Sequence, residues 1–300
     1  MRCSTLAEQL GEPMIGSVDR RIRWLLLEDR SAWGTDAVKD VLGDEFARDA
    51  KARAVRPLLV RRHEGDPVAD AVRRAILVDT ETHEMAVRTI EHPSELAIDA
   101  VADAPVADFG ATMSDPILLV CTNGKRDACC ALRGRALVTA LAPDHAERTW
   151  ECTHLGGHRF AGNLVCLPDG IVYGRVPPAD GPRLADAYLA GRLDPALLRG
   201  RSAWPTPAQV AEQELRVRRG LDGLTDVSLV SDEGDGERAI VALVTSDGTT
   251  HTFELAAERL APPRSTSCRA DDVEEPLHWR VVGVVPRLIR GGARRAPGRA

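Results

Sequence analysis

Four of the chain's seven cysteines and three of its eight histidines fall within "CTNGKRDACCALRGRALVTALAPDHAERTWECTHLGGHRF", Cys121 to Phe160. Most of them sit in or beside two polar loops, one after Cys121 and one beginning at His154. A fold that gives these side chains a common purpose must bring the two loops together. The local pattern shows how. "ILLVC" is an apolar run of strand length, and a strand ending at Cys121 delivers that side chain to the C-terminal edge of a sheet, where α/β folds place their sites. "TNGKRDA" then loops to a helix beginning near Cys129–Cys130, whose partial positive charge and spare N–H groups favour thiolate. "RTWECT" predicts a second strand, "HLGGHRFAGN" a loop, "LVCLPDGIVYGRV" a hairpin turning over Pro168-Asp169-Gly170, and "RLADAYLAGRL" a closing helix. Strand, helix, strand, hairpin and helix predict a thioredoxin-like α/β unit over residues 106–198.

The flanks divide into three further parts. Residues 1–105 alternate short buried-strand patterns ("RWLLLED", "VRPLLVRR", "RRAILVDT") with a helical one after Gly34 and Thr35, and so predict an N-terminal α/β part. Residues 199–285 begin with a helix, "TPAQVAEQELRVRRGL", with Thr206 as N-cap and Pro207 at its first position. Three strands follow, "DVSLV", "RAIVALVTS" and "THTFELA", with turns at "SDEGDGE" and Asp247-Gly248, a β-meander extension. Residues 286–300 carry arginines and no acid, a basic disordered tail.

Composition bounds the function. At 44% hydrophobic and 28% charged the chain is an ordinary globular one, with no run long enough to cross a bilayer and no signal-like N-terminus, so the expected location is cytoplasmic. A net charge of −6 argues against a nucleic-acid surface. An odd cysteine count without a secretory signal directs the cluster toward metal or redox chemistry instead of a disulfide framework.

His154 and His158 flank "LGG", whose glycines permit a tight turn and close approach to something held between the imidazoles. The H-x₃-H half fits a zinc knuckle. The cysteine half does not, since Cys121 stands too far from either Cys129 or Cys130 for the short knuckle turn. A wider loop suits a larger object, and two histidines replacing two thiolates is the ligand set that defines Rieske centres, though the Rieske spacing differs.

"CTNGKRDACC", "HLGGHRFAGN", "PDG" and "YGRV" together resemble the sucrase/ferredoxin-like family, as do "RCSTLAEQLGEP", "RWLLLED" and "AWGTDAV" upstream, covering roughly Arg2 to Val176. Beyond residue 200 "STSC" at Cys268 is the best remnant. The resemblance implies a thioredoxin-like ferredoxin with a bis-histidinyl, non-Rieske [2Fe–2S] cluster, whose ligand pattern C-x₈-C then H-x-G-G-H falls here on Cys121, Cys130, His154 and His158. The expected function is then an electron-transfer protein serving an unidentified redox partner, with a potential above that of plant-type ferredoxins, since Rieske centres span about −150 to +300 mV against about −400 mV. The alternatives are a structural zinc module and a thiol oxidoreductase. Hydrolase chemistry is not expected: no carboxylate pair stands out and aromatics are few.

The neighbours receive plainer expectations. Cys129 is a small buried group at a helix start, or a substitute for Cys130 as ligand; Cys152 and Cys166 are buried strand thiols; His145 is a solvated loop residue. Cys3 and Cys268 have no assigned role. Asp127 caps the helix or meets an imidazole. Lys125, Arg126, Arg159 and Arg175 border the ligands as solvated charges, as counter-charges, or as a dock for an acidic partner.

Overall fold

The computed structural model describes residues 1–63, 72–269 and 272–285. The basic segment 286–300 and most of the "HEGDP" turn lie outside them. Fourteen strands form two sheets among these residues. The first part supplies β1 (Arg23–Glu28), β2 (Val55–Arg62), β3 (Arg73–Asp79), β4 (Glu84–Ile90) and the short β5 (Ala111–Thr112). With them come helices α1 (Cys3–Gln9), α2 (Ala37–Leu42), α3 (Asp44–Ala52), α4 (Ile98–Ala102) and α5 (Val106–Phe109). The middle part supplies β6 (Ile117–Cys121), α6 (Ala128–His145), β7 (Thr149–Cys152), β8 (Leu164–Leu167), β9 (Ile171–Tyr173), α7 (Gly181–Leu189) and β10 (Leu198–Arg201). Up to α7 this is the succession expected from the sequence, β10 is an addition to it, and the fold is α/β.

Strands from both parts share one ten-stranded mixed sheet, in the order β10-β9-β8-β6-β7-β2-β1-β3-β4-β5. Position 105 therefore lies within a continuous structure. The junction is the antiparallel pairing of β2 with β7, Val60 opposite Cys152 and Arg62 opposite Trp150, which covers an edge that each half would otherwise expose. β6 sits near the middle, parallel to β7 and antiparallel to β8.

β6 is buried on both faces, and its side chains alternate between two cores. Leu118 and Val120 pack with Leu137, Val138 and Leu141 of α6. Ile117, Leu119 and Cys121 face Trp150, Leu58 and Leu26 on the opposite side. Each such aliphatic side chain contributes about 1.5–3 kcal/mol on burial, so the register of the strand carrying Cys121 is strongly fixed.

The extension consists of α8 (Thr206–Arg219) and an antiparallel sheet of β11 (Val227–Gly234), β12 (Arg238–Thr245), β13 (Thr250–Arg259) and β14 (Leu277–Val285), paired in sequence order. α8 joins the meander to the large sheet: its Ala208, Ala211 and Leu215 pack in one cluster with Tyr173 and Leu198 and with Val241, Leu243 and Phe253. Pro205, not Thr206, occupies the N-cap, with proline again in the first turn. β14 adds a fourth strand to the three expected. Its one buried residue is Trp279, because one face of this outer strand meets water. "SDEGDGE" is also shorter as a turn than expected, since β11 continues to Gly234.

His145 differs from expectation as well. It closes α6, is only 5% exposed, and lies 3.2 Å from the Asp186 carboxylate of α7. The helix continues past Pro143, and packing of α6 against α7 covers the ring that a polar context had suggested would be solvated.

Candidate metal centre

Cys121 ends β6, and the loop that follows is held by its own side chains. Asn123 Oδ1 accepts from the Lys125 N–H (3.1 Å) and the Arg126 N–H (3.3 Å), while its amide donates to the Gly34 carbonyl (3.0 Å). Asp127 then caps α6, accepting from the Cys129 N–H at 2.9 Å, as expected of an acid at this position. One turn further along, Gly134 lies against β6 so closely that an added Cβ would overlap the Cys121 carbonyl oxygen. This glycine lets the helix press onto the strand beside the site.

The histidine loop leaves β7 after Cys152. Gly156 and Gly157 have φ of +84° and +66°, the left-handed conformation that favours glycine. Two arginines from remote parts of the chain hold this loop. Arg56 of β2 donates to the His154 carbonyl at 2.6 Å. Arg199 of β10, buried beneath Gly157, donates to the Gly156 carbonyl (3.3 Å) and to Asn163 Oδ1 (2.8 Å), and the Asn163 amide in turn donates to the Gly157 carbonyl (3.1 Å). Ser17 fixes the same guanidinium through its hydroxyl (3.0 Å) and carbonyl (2.8 Å). Burial brings the Arg199 pKa down to about 9.

Between these loops the four expected side chains meet. The Cys121 and Cys130 thiols lie in one buried cluster, and each shifts the other's pKa. Cys130 Sγ is 3.5 Å from His158 Nδ1, and the His154 and His158 rings stack at 4.1 Å between centroids. Both imidazoles are partly exposed, whereas both thiols are buried. The neighbouring Cys130 thiol lowers the Cys121 pKa against the opposing effect of burial, aided by the Leu155 and Asn123 backbone. Cys130 is pushed up by the neighbouring Cys121 and by burial. Burial brings His154 down to about 2 and His158 down to about 4. Two neutral imidazoles, His154 accepting the Gly156 N–H at Nδ1 (3.3 Å), and two buried thiols form a donor set for a soft or borderline metal.

The vicinal cysteines part company. Cys130 faces Cys121 and His158, while Cys129 turns toward Cys3 Sγ (3.7 Å) and Cys268 Sγ (3.3 Å). Cys152 and Cys166 are buried strand thiols, as expected. Of the bordering cations, Arg126 pairs with Asp36 (2.8 Å) and Arg159 with Glu12 (2.6 Å), while Arg175 lies over the Phe160 ring. A cavity of about 350 Å³ opens beside His154, lined by Arg56, Asn123, Arg126 and Thr153. Arg56 and Arg199 left no sign in the sequence, because each acts on a loop far from it along the chain.

The sucrase/ferredoxin-like family profile matches residues 14–200, which hold both loops and all four of these side chains. The chain belongs to the sucrase/ferredoxin-like family. Members of curated standing that it resembles include the Altered inheritance of mitochondria protein 32 of Meyerozyma guilliermondii, 33% identical over 26% of this chain and 31% of the relative. The protein of the same name from Eremothecium gossypii is 35% identical over 28% of this chain and 32% of the relative. The matches thus span about a third of those relatives. No solved structure matches. These findings overturn the expected function of an electron carrier, and its zinc-module and thiol-oxidoreductase alternatives with it: the relatives are named for altered inheritance of mitochondria, and none for electron transfer. Among the described residues no helix is long and apolar enough to cross a membrane.

Proposed function

We propose that this chain is a cofactor-binding protein and that Cys121, Cys130, His154 and His158 hold a [2Fe–2S] cluster. The observation that carries the proposal is the meeting of the two loops, with Cys130 Sγ 3.5 Å from His158 Nδ1, Cys121 in the same buried cluster as Cys130, and His154 stacked on His158. The donor chemistry fits, since two sulfurs and two neutral imidazole nitrogens suit iron. The openness of the set fits too. Among the described residues, the group with every donor atom within 4.8 Å of every other is a different one, so these four suit an object larger than a single ion.

Each neighbouring group has a part. The Leu155 and Asn123 backbone favours the Cys121 thiolate. Arg56 and Arg199 hold the histidine loop in place from beneath, and Gly134 permits the close approach of α6. Binding requires Cys130 to lose its proton, so loading is proton-coupled and favoured by higher pH. Bound there, such a cluster supplies its own inorganic redox chemistry.

The test is anaerobic purification and reconstitution, with iron and acid-labile sulfide analysis, visible absorption and low-temperature EPR. Wild type is expected to carry iron and sulfide in equal amounts, Cys130→Ala to lose both, and His158→Cys to keep them with an altered spectrum. A wild-type chain that takes up neither, or a Cys130→Ala spectrum identical to wild type, overturns the proposal.

A further inference from the structure

Cys3, Cys129 and Cys268 are separated by 126, 139 and 265 positions along the chain in their pairwise combinations. Nonetheless their sulfurs form a closed triangle, with Cys3 to Cys129 at 3.7 Å, Cys129 to Cys268 at 3.3 Å, and Cys268 to Cys3 at 3.5 Å. Asp127 completes the group, its Oδ2 lying 3.8 Å from Cys3 Sγ. All four donor atoms fall within 4.8 Å of one another. We infer that Cys3, Cys129, Cys268 and Asp127 form a second metal site, one that takes a single zinc ion.

The dimensions match. Tetrahedral zinc with Zn–S bonds of about 2.3 Å places its sulfurs about 3.8 Å apart, close to the triangle seen and far from the roughly 2 Å of a disulfide. The donors match, since three thiolates and a carboxylate are a borderline-soft, anionic set for which zinc is well suited and magnesium or calcium is not. Charge points the same way: among the described residues no lysine or arginine hydrogen-bonds these sulfurs, yet Cys3, Cys129 and Asp127 are each at most 2% exposed. Three thiolates and a carboxylate brought together would repel, and a divalent ion offsets that charge.

The surroundings are built in the manner of a ligand shell. Asp127 is fixed by the Cys268 N–H (2.8 Å), the Ser267 hydroxyl (3.0 Å) and the Cys129 N–H (2.9 Å), which leaves lone-pair capacity on Oδ1, the oxygen that accepts a single one of these bonds. The Ser4 hydroxyl donates to Cys129 Sγ at 3.2 Å. Cys268 is exposed and gives the ion a path in. The ion would fasten three elements together: α1, the first turn of α6, and the segment ahead of β14. It would also divide the vicinal pair, Cys129 serving this ion while Cys130 faces Cys121, whatever the latter pair holds.

Zinc protection of thiols tests this on the intact chain. Full-length protein, reduced and stripped with chelator, is alkylated with and without added zinc under anaerobic conditions, and the labelled cysteines are mapped by peptide mass spectrometry. Protection of Cys3, Cys129 and Cys268 together is expected. Zinc titration of variants accompanies it: Cys268→Ser should weaken binding at this site by more than roughly tenfold, Cys268→His should restore it, and Cys166→Ser should leave it unchanged. Equal labelling of the three cysteines with and without zinc overturns the proposal, as does a disulfide among them in the anaerobic, zinc-free protein that persists when zinc is added. Because each cysteine is scored separately, failure here is distinct from failure at Cys121 and Cys130.

Discussion

The Arg199 guanidinium occupies the space in which Gly157 would carry a side chain. This one contact ties the histidine loop to the far edge of the ten-stranded sheet, and it sets two demands on position 157: a left-handed backbone, at φ +66°, and no Cβ. Gly157→Ala meets neither. Arg199 cannot swing aside cheaply, because Ser17 and Asn163 hold it. The expected loss is about 1–3 kcal/mol in chemical denaturation, with reduced iron uptake on reconstitution. An alanine variant as stable as wild type would show that the loop is not anchored by Arg199.

Gly134→Ala is a sharper case of competing effects. Alanine favours a helix interior over glycine by about 1 kcal/mol, so an exposed site would gain stability. Here the new methyl would overlap a backbone carbonyl, that of Cys121, which cannot move without breaking the β6 pairing. Destabilisation of about 2 kcal/mol or more is expected, read from the denaturation midpoint; a rise in that midpoint contradicts the close approach of α6 to β6.

Glu151 should make the fold sensitive to acid. Burial works to raise its pKa, but hydrogen bonds from His63 (2.9 Å), Thr122 (2.7 Å) and Arg61 (3.0 Å) outweigh it and hold the carboxyl below its ordinary value. A carboxylate depressed in the folded state adds stability above its unfolded pKa and loses it as pH falls through the folded value. Stability attributable to Glu151 is therefore expected to be complete near neutrality and to disappear on acidification. Glu151→Gln should lower stability at neutral pH by on the order of 1 kcal/mol, given solvent screening, and flatten the acid limb of the stability profile. Parallel pH profiles for the two proteins would exclude this role.

Glu212 lies between two guanidinium groups, Arg201 at 2.8 Å and Arg216 at 2.9 Å, with Glu212 and Arg216 fully buried. Glu212→Gln leaves those cations without their counter-charge, at an expected cost of about 3–5 kcal/mol. Glu212→Gln combined with Arg216→Met should recover part of the loss. Thermal melts of the three proteins decide the matter, and a single variant within a few tenths of a kcal/mol of wild type would mean that water reaches this pair.

What the chain's own pattern determined is local. The apolar run ending at Cys121, the capping Asp127, the glycines of "HLGGH" and the turn at Pro168-Asp169-Gly170 place their strands, helix and loops through near-neighbour sterics and burial, and these signals lie within a few residues of what they specify. From them, and from the family likeness, the four side chains of the candidate centre could be named. Tertiary structure alone decided the rest. Arg56 and Arg199 hold the histidine loop, Cys3 and Cys268 close on Cys129, β2 joins β7 to merge two halves into one sheet, and α7 covers His145. Each depends on groups far apart along the chain meeting through packing, and packing between distant segments leaves no periodicity or spacing in either one. Cys3 and Cys268 show this most clearly: in sequence each is an isolated thiol, and only the folding of α1 and of the segment ahead of β14 onto the start of α6 makes them neighbours.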